Sequence, residues 1–156
     1  MTGADIPPRQ AFRALRIIFY ALNAGLLLFF FMAIYVNDMK LPEFKSEVDV
    51  LTMVNVLLLI MIPVGYTLSA RKMATINPKD PFFTKFGQYQ TAMILRWAMI
   101  EGVALLSLVG MIVLEDAKQL VIFLICIFVL SSNAVTREKA TKGAQLNPEE
   151  SRALEG

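Results

Sequence analysis

Residues 92–114 read AMILRWAMIEGVALLSLVGMIVL, and the architecture of the chain follows from them. A helix rises about 1.5 Å per residue, so this stretch reaches roughly 34 Å, enough for a hydrocarbon core of about 30 Å. It reads as a membrane-crossing helix with one carboxylate, Glu101, near its middle. An ionised side chain at the bilayer centre costs roughly 2.5 to 3.5 kcal/mol on insertion scales. Glu101 is therefore expected to face protein or water rather than acyl chains.

The apolar character extends outward from this stretch. Hydrophobic side chains make up 56% of the 156 residues, and the mean hydropathy is +0.58. Soluble domains run near about 45 to 50% apolar. The formal net charge is only +2, with the basic residues dispersed, so nucleic acid is not an expected partner. No histidine is present, which removes the usual haem ligand, the commonest metal ligand and the best proton-transfer group at neutral pH. The single cysteine, Cys126, lies in an apolar run and reads as a small core residue. No glycine-rich phosphate loop, metal-ligand cluster or nucleophile beside a base is evident, so neither a cofactor nor an enzymatic activity is expected.

Upstream, Pro8 suits the first position of a helix that carries Arg9, Arg13 and Arg16 into an apolar run over 17–36. That run exceeds the core of a secretory signal and is expected to stay as an anchor. Ser46 and Asp49 match a capping box ahead of a second span, 50–70. Pro63 is expected to kink that span and to free the Leu59 carbonyl. Asp80 and Pro81 are expected to start the third helix well before the span at 92–114, with an aromatic belt of Phe82, Phe83, Phe86 and Tyr89. Asp116 opens a fourth span, 117–135. The expected domain is thus 1–136. The charged tail, 137–156, reads as mostly unstructured by composition, although Asn147-Pro148-Glu149-Glu150 suits a short helix.

Twelve of the fifteen basic residues fall at one end of this arrangement, and only Lys40, Lys45 and Lys118 fall at the other. Positive charge is retained in the cytoplasm, which predicts that both termini and the middle loop are cytoplasmic. Shifted by 77 residues, YALNAGLLL at 20–28 aligns with WAMIEGVAL at 97–105, and after the second and fourth spans TLSARK at 67–72 more weakly resembles AVTREK at 134–139, at a different offset. This predicts an all-α four-helix transmembrane bundle of two tandem hairpins. Ala21, Gly25, Ala98 and Gly102 would then meet in the interior, where small side chains let backbones approach.

The same register puts Asn23 near the depth of Glu101, with Pro63 at a similar level. A polar centre of Glu101, Asn23 and the Leu59 carbonyl is the expected site. Arg96 is five residues from Glu101 and so on a different face, and is expected to snorkel toward headgroups. Two roles stand level for Glu101. A protonated carboxyl could tie helices together through Asn23 or a carbonyl, or the group could be a proton or cation site. Thr52, Asn55, Ser131, Ser132 and Asn133 read as hydrogen-bonding residues at helix ends or between helices.

The R-W-A-M-I-E-G heart of residues 92–110 resembles a family of small four-helix bacterial membrane proteins without an established activity. A second resemblance, to the duplicated proteolipid of rotary ATPases, rests on length, four spans and one buried carboxylate. The chain departs from that pattern: its eight glycines are scattered, and its carboxylate lies in an odd-numbered span. The leading expectation is a non-enzymatic accessory or self-associating membrane subunit, with membrane lipids and a second copy or partner subunit as its contacts. The alternative is a small proton, ion or solute transporter centred on Glu101.

Overall fold

The computed structural model describes residues 7–154 of the chain. These form seven helices: α1 (Pro8–Val36), α2 (Val50–Leu58), α3 (Met61–Ala74), α4 (Phe82–Leu114), α5 (Ala117–Ser132), α6 (Arg137–Gly143) and α7 (Pro148–Arg152). No strand occurs among the described residues, only an isolated parallel bridge between Glu43 and Asp116. Three units are long and apolar enough to cross a membrane: α1, the α2–α3 rod and α4. The pair α5 and α6 passes the same test jointly, but it is bent by 79°.

The hub is α4, which packs against α1, α3 and α5. Trp97, Ile100, Ala104, Leu108 and Met111 recur every three or four residues, the helical repeat, and all are sealed from solvent. From α1, Leu15, Phe19, Leu26 and Ala33 are buried at a similar spacing. Phe19 meets the Trp97 ring at 5.3 Å, and Phe30 stacks on Phe123 of α5 at 5.1 Å. Aromatic pairs at these separations add to what area burial alone supplies.

The α2–α3 rod is interrupted at Leu59–Ile60, just ahead of Pro63. The Leu59 carbonyl is not free, contrary to expectation. The chain tightens to a three-residue spacing there, and the Ile62 N–H donates to that carbonyl at 3.1 Å. Two expected caps also differ. Asp49 precedes α2 without a side-chain cap, so the Ser46 box is not made, and Pro81 rather than Asp80 precedes α4.

At the end formed by the interhelical loops, Ala117 N–H donates to the Glu43 carbonyl at 3.0 Å, and the Lys45 ammonium donates to the Leu114 carbonyl. Asp116 caps α5 by accepting from Lys118 N–H at 3.0 Å. Burial opposes its charge, but the Lys118 N–H and ammonium, with the Lys45 backbone N–H, together hold its carboxyl below the usual value of 3.8.

The opposite end corrects the reading of the tail. Residues 137–154 are folded, with Ala140, Ala144, Leu146 and Leu154 buried. Asn147 and Glu150 form the capping box of α7. Lys85 of α4, only 1% exposed, donates to Glu150 at 2.6 Å and to the carbonyls of Pro78 and Gln145 at 3.3 and 3.5 Å. Its three N–H groups thus have three acceptors, which is what makes a buried ammonium tolerable. Composition alone missed this because the tail is held by contacts with α4, Lys85 to Glu150 and Gln145, as well as by its own Arg137–Ser151 and Thr141–Ser151 hydrogen bonds.

Candidate functional site

Three polar groupings lie along α4, and the expected one is not assembled. Asn23 donates to the Phe19 carbonyl at 2.9 Å and accepts from the Ser131 hydroxyl at 3.1 Å, which ties α1 to α5. Glu101 is half-buried, and no described residue hydrogen-bonds or ion-pairs with it. With the Leu59 carbonyl taken by Ile62, the predicted centre of Glu101, Asn23 and Leu59 is dispersed over separate contacts. The cause is rotational. Residue count along a helix predicts depth, but depth does not say which way a side chain points.

The small residues go outward for the same reason. Ala21, Gly25, Ala98 and Gly102 are all exposed, rather than meeting in the interior. A Cβ added at Gly25 or Gly102 would meet nothing within 4 Å. At about 100° per residue, Ala98, Gly102, Leu105 and Val109 share one side of α4. Glu101 sits at its edge, roughly 40° round from Trp97. That side forms an open strip, with Ile94 and Val113 extending it.

Arg96 instead lies at the centre of a network. Its Nε donates to Ser69 Oγ at 2.8 Å, and Nη1 donates to Asn133 Oδ1 at 3.3 Å. The guanidinium sits over the Tyr66 ring at 4.4 Å from its centroid, and Asn133 Nδ2 donates to the Tyr66 hydroxyl. Neutral acceptors and a ring face thus hold the cation between α3, α4 and the end of α5. Arg96 and Glu101 do not pair, as their spacing requires.

A third network is fully enclosed between α2, α4 and α5. Gln119 Nε2 donates to Thr52 Oγ1 at 2.9 Å, and Asn55 Nδ2 donates to Gln119 Oε1 at 2.6 Å. Gly110 makes room for it, because a Cβ there would lie 2.8 Å from the Gln119 amide and 3.1 Å from Asn55 Nδ2. Asn55 Oδ1 is buried without a partner. The sequence identified Thr52 and Asn55 as hydrogen-bonding residues but did not single out Gln119 among them. A glutamine three residues into an apolar span was the available signal, since such amides seek partners across helices.

The charged and hydroxyl groups in these networks make no arrangement for acid–base or nucleophilic chemistry, and no cluster of three metal-ligating residues occurs among the described residues. Comparison with protein-family models, with curated proteins and with solved structures returned no match.

Proposed function

We propose that the chain crosses a bilayer four times as two hairpins in tandem, and that it is a non-enzymatic membrane subunit that associates with a second copy or partner subunit through the open sides of α1 and α4. Two observations support a fourth crossing. Counted from the loop end, Arg96 lies about 27 Å down α4, close to the thickness of a hydrocarbon core. Asn133, just past α5, reaches that same level, because it accepts from Arg96. The 79° bend then turns the charged α6 along the boundary instead of onward through it. The excess of basic residues at the terminal end argues that this end is cytoplasmic, and the resemblance drawn from the sequence argues for a bacterial inner membrane. The resemblance to small four-helix bacterial membrane proteins belongs to the same reading.

One observation carries the association: Glu101 has no partner among the described residues, and it borders a strip where Ala98 and Gly102 leave the backbone accessible. A carboxyl facing acyl chains is costly, and a neighbouring chain supplying a donor would offset that cost. The test is the mass of the detergent-solubilised protein. Wild type should run as an assembly, and Gly25→Leu with Gly102→Leu should reduce it to single chains with helicity intact. A wild type that is already single removes the reading.

The same unpartnered carboxylate favours a second reading, a small proton, ion or solute pathway. Liposomes containing wild type should then pass protons faster than liposomes containing Glu101→Gln. Equal rates dismiss it.

A further inference from the structure

We infer that the terminal end of α1 holds the headgroup of an acidic phospholipid. Arg9, Arg13 and Arg16 follow one another at intervals of four and three residues, which stacks them on a single side of α1. All three are exposed, and none is ion-paired with a described residue. They line a groove of about 520 Å³ together with Ile17, Tyr20 and the buried Leu154 of the folded tail. No carboxylate lines it among the described residues.

Depth matches this chemistry. Arg16 is twenty residues from the loop end of α1, roughly 30 Å, which brings it to the hydrocarbon boundary where phosphates lie. Arg13 and Arg9 continue outward by one and two turns. Guanidinium forks match phosphate oxygens two at a time, which an isolated ammonium cannot do. Arg16 also rests on the Tyr20 ring at 5.9 Å, which helps to fix its direction. Beyond Tyr20, the same side of α1 continues as exposed apolar residues, Leu27 and Phe31, along which an acyl chain can lie. Headgroup contacts and chain contacts thus fall on one line, which a free phosphate would use only in part.

This rests on the reading that α1 crosses a bilayer, and the experiment separates the two. The full chain is reconstituted in phosphatidylcholine nanodiscs with and without a minority of phosphatidylglycerol, released, and weighed by native mass spectrometry. Failure to enter nanodiscs defeats the membrane reading itself. Given entry, wild type should retain phosphatidylglycerol over phosphatidylcholine. The preference should weaken as salt rises, since exposed charges are screened. Arg9→Gln with Arg13→Gln and Arg16→Gln should lose it by on the order of a hundredfold, at roughly fivefold per basic residue. Arg71→Gln with Lys72→Gln, exposed charges at the same end of α3, should keep it. Equal retention of the two lipids, a salt-insensitive preference, an unaffected triple variant, or displacement by inorganic phosphate at matched ionic strength overturns the proposal.

Discussion

The two sides of α4 are equally apolar in sequence yet opposite in fate. One carries Trp97, Ile100, Ala104, Leu108 and Met111 against α1, α3 and α5, and the other leaves Ala98, Gly102, Leu105 and Val109 open. In water the open side would demand burial, but against lipid it demands nothing, because acyl chains are as apolar as leucine. What separates the sides is shape and partners. The sealed side carries the large ring of Trp97, seated on Phe19, and ends near an enclosed amide network. The open side carries small and aliphatic residues and one carboxylate at its edge.

The sharpest way to break this contrast is truncation on each side. Trp97→Ala should cost about 3 kcal/mol of unfolding free energy in detergent, at the low end for such cavities because hydrocarbon rather than water is the alternative environment. Leu105→Ala, about two turns along on the open side, should stay within about 0.5 kcal/mol. Measured on single chains, similar losses at both would mean that the open side is covered within the chain. Next in size, Gly110→Ala should cost about 2 kcal/mol by pushing a Cβ into the Gln119 amide. Gln119→Leu should cost about 1 kcal/mol, since it leaves Asn55 Nδ2 without an acceptor beside the already unpartnered Oδ1. The two effects should not simply add when combined, because both substitutions alter the same contact between position 110 and the side chain at 119. A double variant measured at the simple sum would uncouple Gly110 from the network.

The smallest effect concerns the loop end. Asp116 is held below 3.8 in the folded chain and returns to that value on unfolding. Its contribution to stability is therefore present in full above 3.8 and is lost as pH falls through the lower folded value. An acid titration of the melting temperature should show a decline there that Asp116→Asn lacks, and identical profiles would remove the assignment.

The proposed repeat sharpens the same comparison. Ala21 and Ala98, like Gly25 and Gly102, are equivalently exposed, but Tyr20 is 56% exposed where Trp97 is 0%. The second helices diverge further. TLSARK continues α3, whereas AVTREK spans the bend after α5. Two stretches alike in composition thus adopt different courses once one of them must accommodate a folded tail.

By itself the sequence determined the helical class, the positions of the long apolar segments, the separation of Arg96 from Glu101 and the Asn147 cap, because each depends on local length, hydropathy or helical periodicity. Only the tertiary structure decided that Ala21, Gly25, Ala98 and Gly102 point outward, that Asn23 pairs with Ser131, that Arg96 lies on Tyr66 and that Gln119 joins Asn55. Those outcomes turn on the rotation of each helix about its axis. In an apolar chain no alternation of polar and apolar residues marks which side faces the neighbours, so the fit of large rings and the few polar side chains sets that rotation.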